Sequence, residues 1–160
     1  MSHKLKLFSI NVRGLRNVSK RGAMFSYLKM QKATIYCFQE TYSSPEDEKM
    51  WSAEWSGKII YSHGTTHSKG VCTLLNPNSP FKLNSIQVDP EGRFLIAKLT
   101  IEEKYFCTAN TYGPNNCHDQ DDFLKALSQQ LVSKTDTSKV IISVDWNITL
   151  NRIDKLGGLP

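Results

Sequence analysis

A single mixed α/β domain is the fold the sequence predicts, and three observations predict it. Strand-type and helix-type apolar periodicities alternate along the chain, a strand-rich block with hairpin chemistry fills its middle, and no repeat, low-complexity tract or linker divides the 160 residues. The length suffices for a sizeable core, and 39% apolar with 22% charged residues is the composition of an ordinary folded domain.

The elements follow in order. KLKLFSIN (4–11) alternates lysine and leucine before turning apolar, which predicts a strand ending at Asn11. SKRGAMFSYLKMQKA places Met24, Phe25 and Leu28 at helical spacing, and TIYCFQE returns as a buried strand ending at Gln39 and Glu40. Ser44-Pro45-Glu46-Asp47 combines a capping serine, proline at the first position and acids in the first turn, so PEDEKMWSAEW is a short helix. Across residues 58–112 come KIIYS, GVCTLL, LNSIQV, RFLIAKLTI and KYFCTANTY, separated by HGTTHSKG, NPNSP, DPEG and EEK, a mostly antiparallel block. HDQDDFLKALSQQLVSK is an amphipathic helix with acids near its positive end and Phe123, Leu124, Leu127 and Leu131 on one face, and KVIISVDW is the next strand.

Lys and Arg outnumber Asp and Glu by 20 to 15, a formal charge of +5 that leans towards a polyanionic partner. The four cysteines form no CxxC pair, and Cys37, Cys72 and Cys107 sit inside strand-like apolar runs, so they read as buried free thiols. MSHKLKLFSIN has no secretory pattern and no apolar run is long enough to span a bilayer. An intracellular, reducing setting, cytoplasmic and nuclear rather than secreted, is therefore expected, and the Asn-x-Ser/Thr matches at Asn17 and Asn147 are expected to carry no sugar.

Asn11, Glu40, Tyr112, and Asp145 with Asn147 each stand where an apolar run gives way to a loop, each in a different strand. Singly, an Asn or Asp there is a turn former and a Tyr is packing. Jointly they have the arrangement of a site assembled from strand ends.

The motifs that contain these residues, SINVRGL (9–15), FQET (38–41), SKGVCTLLNP (68–77), NTYGPN (110–115) and VDWNITL (144–150), occur in an order that resembles the endonuclease/exonuclease/phosphatase superfamily. Within it the chain looks most like the apurinic/apyrimidinic-endonuclease-like domain of LINE-type, non-LTR retrotransposons, over essentially its whole length. The resemblance implies a DNase I-like four-layer α/β sandwich, two packed mixed β-sheets flanked by helices. It also implies a Mg²⁺- or Mn²⁺-dependent phosphodiesterase that nicks DNA to prime reverse transcription, with a reverse transcriptase domain downstream and neither a small-molecule cofactor nor a membrane involved. Carried over, Glu40 is the main metal ligand with Asn11 beside it, and such a site needs no His/Cys cluster, since Mg²⁺ takes oxygen ligands and keeps several waters. Tyr112 donates its hydroxyl to the scissile phosphate and Asn115 braces the loop or touches the backbone. Asp145 orients or deprotonates the attacking water, or protonates the leaving oxygen, while Asn147 holds the phosphate or the catalytic Asp. Trp146 points the other way and packs.

Three positions depart from the pattern. Val144 replaces a usual Gly, Arg13 replaces an acid of the repair-type relatives and so is expected on DNA phosphate, and the Ser-Asp-His motif that ends such domains has no counterpart. Residues 1–160 are accordingly expected to form the N-terminal two-thirds of one domain, incomplete at the C-terminus, with sheet edges and an apolar face uncovered. His3 is terminal, His118 opens a helix, and His63 and His67 lie in a turn read as solvated rather than as a metal pair. The readings are thus a metal-dependent endonuclease impaired in this chain, a non-catalytic remnant that at most binds nucleic acid, and a small-molecule phosphatase of the same superfamily.

Overall fold

The computed structural model describes residues 5–132 and 139–147; His3, residues 133–134 of the predicted third helix, residues 148–150 of VDWNITL and the C-terminal end fall outside them. Strand β1 (Leu7–Asn11), helix α1 (Val18–Gln31) and strand β2 (Ile35–Gln39) form a parallel unit in which Asn11 pairs with Gln39. Asn17 opens α1 by accepting the Lys20 N–H at 2.9 Å, the geometry of an N-cap. A 3₁₀ turn over Pro45–Asp47 leads into α2 (Glu48–Glu54), with the N–H and hydroxyl of Ser44 both donating to Asp47 Oδ2.

The middle block is antiparallel as predicted, but it is shared between two sheets. β3 (Lys58–Ser62) and β4 (Val71–Leu75) complete a first sheet in the order β1-β2-β4-β3. The NPNSP turn then carries the chain across, pinned where Asn76 donates its amide to Ala33 O at 2.7 Å. β5 (Lys82–Val88), β6 (Phe94–Ile101), β7 (Lys104–Tyr112) and β8 (Lys139–Asp145) make the second sheet in that order, with β7 and β8 parallel around α3 (Cys117–Val132).

Three apolar clusters define four layers. Phe25, Leu28, Trp51 and Trp55 of α1, α2 and the residue that ends α2 pack with Tyr36 and Phe38 of the first sheet; Ile35, Cys37, Val71 and Leu75 meet Leu95, Ala97 and Leu99 between the sheets; Phe94, Ile96, Cys107 and Ala109 meet Phe123 and Leu127 of α3. β2 and β4 are buried on both faces, which is why their sequences read as continuous apolar runs. The helix stripes differ from expectation in two places. Arg21, not only Met24, Phe25 and Leu28, lies on the buried stripe of α1, and Leu124 turns to the exposed flank of α3. β8 is a sheet edge among the described residues, and Val140 and Ile142 are 40% and 45% exposed on it.

Cys37, Cys72 and Cys107 are buried free thiols, and Cys117, the first residue of α3, is exposed. Burial pushes the Cys37 and Cys72 thiols up to about 12, against neighbouring hydroxyls that pull the other way. Since the thiolate is the reactive form, a disulfide-exchange reagent is expected to titrate a single equivalent in the native state, at Cys117, and four after unfolding. Rapid native labelling of more than one thiol overturns this.

Candidate active site

The two parallel strand pairs lie at facing edges of the sandwich, so the carboxyl ends of β1, β2, β7 and β8 converge. Crevices outside such ends are where α/β sheets place ligands. All five residues expected to be catalytic meet there. Asn11 donates from one amide nitrogen to Glu40 Oε1 at 2.9 Å and to Asp145 Oδ2 at 2.6 Å, joining β1 to the acids of both sheets. Its own oxygen accepts the Arg13 N–H at 3.0 Å. Asn147 donates its backbone N–H to Asp145 Oδ1 at 3.3 Å and its amide to Gly113 O at 2.9 Å, so it braces Asp145 and the turn after β7 together. The Tyr112 hydroxyl faces Glu40 and lies 3.5 Å from Asn115 Oδ1. Arg13 and Asn115 are exposed at the rim.

The route by which Asn147 arrives differs from the sequence argument. A continuing strand would put it on the same side as Asp145, but β8 ends at Asp145 and Asn147 reaches back through a left-handed backbone, φ 50°. Trp146 is less packed than expected, 40% exposed beside a strand that is a sheet edge among the described residues. Glu40 (φ 54°), Arg13 (φ 46°) and Tyr42 (φ 56°) share the left-handed conformation. Each such residue costs on the order of 1 kcal/mol, and strain of that kind gathers at functional sites. Two glycines make the close approaches possible. A Cβ on Gly14 (φ 82°) would stand 2.7 Å from the Tyr42 ring, and one on Gly113 would stand 2.4 Å from Trp146 O, where β7 and β8 come together.

Tyr42 was not singled out in the sequence, yet its hydroxyl donates to Glu40 Oε2 at 2.9 Å. Burial alone would raise the Glu40 pKa, but hydrogen bonds from Asn11, Tyr42 and Tyr112 and the charge of Arg13 outweigh it and hold the carboxyl below its usual range. For Tyr112, burial and the facing Glu40 carboxylate raise the phenol, so it stays a proton donor at neutral pH. A depressed carboxyl contributes stability above its unfolded pKa and loses it as pH falls through the folded one. The unfolding free energy of the protein, relative to its Glu40→Gln variant, is therefore expected to rise between roughly pH 3 and pH 6 in urea titrations. A flat or falling difference contradicts the Glu40 environment described.

A polar floor lies one side-chain step beneath. Ser9, Asn110 and Ser143 stand two residues before Asn11, Tyr112 and Asp145 and so face the same way. The Ser143 hydroxyl meets Ser9 Oγ at 2.5 Å, Gln39 donates to Ser9 Oγ at 3.1 Å and to Asn110 Oδ1 at 2.7 Å, and Asn110 donates to Phe38 O and Cys72 O. The two sheets are thereby joined by polar contacts beneath the site. His63 is not a solvated turn residue: its ring nitrogens lie 3.1 Å from Ser43 Oγ and 2.8 Å from Glu48 Oε1. No group of three or more His, Cys, Asp or Glu side chains suited to a metal occurs among the described residues. The donor set does fit one hard cation of the Mg²⁺ type, with Glu40 ionised, Asp145 close by, a second lone pair on Asn11 Oδ1, and oxygen as the only ligand atom.

No family model matches the chain. Over 152 residues it is 29% identical to the transposon TX1 uncharacterized 149 kDa protein of Xenopus laevis, a match that takes in 94% of this chain and 12% of the length of that curated relative. An AP endonuclease from Archaeoglobus fulgidus has the same fold, with TM-score 0.70 and 22% identity over 94% of this chain and 60% of its own. D. rerio TDP2 complexed with a single strand DNA product superposes with TM-score 0.66 and 18% identity over 98% of this chain and 66% of its own.

Proposed function

We propose, from the premise that this chain is an endonuclease-like domain of the endonuclease/exonuclease/phosphatase superfamily with a transposon-encoded relative, that it hydrolyses a phosphodiester bond of DNA with the help of a divalent metal. The observation that carries this reading is the single Asn11 amide held between the carboxylates of Glu40 and Asp145, where the ends of the two sheets meet.

Glu40 holds the cation, with Asn11 Oδ1 beside it. When bound, Mg²⁺ or Mn²⁺ neutralises charge on the phosphate and makes its water more acidic. Asp145, with its two oxygens oriented by Asn11 and Asn147, is placed to take the proton of the attacking water. Tyr112, kept protonated, donates to a phosphate oxygen that gains charge as the bond forms, and Asn115 steers that hydroxyl. Arg13 meets the DNA backbone at the rim. In the setting of a LINE-type element the nick primes reverse transcription by a reverse transcriptase domain of the same polyprotein, inside the cell, where unpaired thiols persist.

Supercoiled plasmid incubated with the protein in Mg²⁺ or Mn²⁺, and in EDTA, tests the proposal. Open circles that form only with the metal are expected. Salt-sensitive DNA binding without nicking, in any metal, makes the chain a binding remnant, whereas hydrolysis of small phosphoesters with plasmid left intact makes it a phosphatase.

A further inference from the structure

Arg93, which no motif singled out, has an unusual setting next to Tyr112. Its Nη1 is buried and has no hydrogen-bond partner. A buried donor left unpaired costs on the order of 1–3 kcal/mol, more when it is charged. The side chain is nevertheless held in place. Its guanidinium carbon lies 5.9 Å from the centre of the Tyr112 ring, and its backbone N–H donates to Asp89 Oδ2 at 2.9 Å while its carbonyl accepts the Tyr112 N–H at 2.7 Å.

The group borders a cavity of about 270 Å³ whose walls include Lys69, Tyr112, Asn115, Asn116 and Asp119. That lies below the roughly 300–1,000 Å³ of sites for drug-sized molecules, a size suited to a phosphate with its sugar rather than to a stacked base. Lys69 is engaged with Glu91 at 3.3 Å, whereas Arg93 makes no ion pair among the described residues, so its guanidinium is the uncommitted cation of the cavity wall. Tyr112 belongs to both the cavity and the active site, with its ring against Arg93 and its hydroxyl against Glu40. An anion in the cavity is therefore a close neighbour of the phosphate under attack.

We propose that Arg93, with Asn115 and Asn116, forms a subsite for the phosphate next to the scissile one on the same strand, so that the substrate is a polynucleotide and not an isolated phosphoester. The forked guanidinium suits a phosphate's paired oxygens. This rests on the nuclease reading for the position of the scissile group, but its test does not need turnover.

A fluorescein-labelled single-stranded oligonucleotide is titrated with the protein in EDTA over a salt series, using the wild type, Arg93→Gln and Arg93→Lys. Removing one phosphate contact lowers the slope of log K against log salt by about 0.7 for a single strand. Arg93→Gln is expected to lose that increment and about tenfold in affinity at low salt, and Arg93→Lys to keep the slope but bind more weakly for want of the fork. Replacing individual linkages with methylphosphonate should weaken wild-type binding at one position and leave Arg93→Gln indifferent there. An unchanged slope in Arg93→Gln, or equal losses from every neutral linkage in both proteins, overturns the subsite. If the Arg93 effect holds and no metal supports nicking, Arg93 is a backbone-phosphate contact without a scissile neighbour, and the nuclease reading falls.

Discussion

Replacing Glu40 by alanine is expected to abolish metal-dependent nicking, with a loss on the order of 10³-fold or more. Among the described residues the carboxylate is the one acid of the site in contact with Asn11, Tyr42 and the facing Tyr112 at once, so its removal takes away the proposed metal ligand and the acceptor that orients three donors. Folding should survive the change. Glu40 is only partly buried, so the cost is limited to the hydrogen bonds it accepts from Asn11 and Tyr42. Nicking rates and thermal melting, measured side by side on the wild type, Glu40→Ala and Glu40→Gln, separate the two effects. A variant that melts like the wild type and still nicks in Mg²⁺ removes Glu40 from the mechanism; one that fails to fold shows a structural role instead.

The second large effect is on stability, at Arg21. This side chain is fully buried, and its guanidinium donates to both oxygens of Glu54 at 2.6 and 2.7 Å and to the carbonyls of Leu15 and Arg16 at 2.9 and 3.2 Å. Arg21→Ala leaves these acceptors without their donor and opens a cavity beside Trp51, over whose ring the guanidinium lies at 5.4 Å. Breaking a buried pair costs about 3–5 kcal/mol; the Glu54 side chain is 30% exposed and can rehydrate, so the lower end is expected. Urea unfolding measures it, and a loss under about 1 kcal/mol, the scale of a surface pair, contradicts the burial described. Because Leu15 and Arg16 follow directly on the loop that carries Arg13 and Gly14, nicking by this variant should also fall at temperatures well below its midpoint.

Much of this arrangement was legible in the sequence. Among the described residues the strands and helices lie close to where the sequence put them, because buried strands such as IYCFQ leave unmixed patterns. The four-layer fold and the superfamily resemblance are borne out by the transposon relative and by solved structures of the same fold. Periodicity does not record which sheet a strand joins, and so the antiparallel block gave no sign that it divides at NPNSP. Arg21 escaped notice because an arginine on an apolar stripe reads as an interruption until Glu54, 33 residues away, is seen to answer it. Tyr42 and Asn147 reach their partners through positive φ, which a tyrosine or asparagine in a sequence does not announce. Arg93 becomes conspicuous only through the partner that its Nη1 lacks. Ser9, Asn110 and Ser143 could have been found, since each repeats a site residue at a spacing of two.

That polar floor has a mechanical meaning. Apolar faces between two sheets tolerate sliding, since one methyl group substitutes for another, but a row of matched donors and acceptors fits at one offset alone. Displacing one sheet by a single residue pair would strand the amides of Gln39 and Asn110 in the apolar interior. Asn11 and Glu40 on one sheet and Tyr112 and Asp145 on the other are thus kept in alignment by residues that lie beneath them. The floor works as a locating pin between two machined plates, and the tolerance of the active site is the tolerance of the pin.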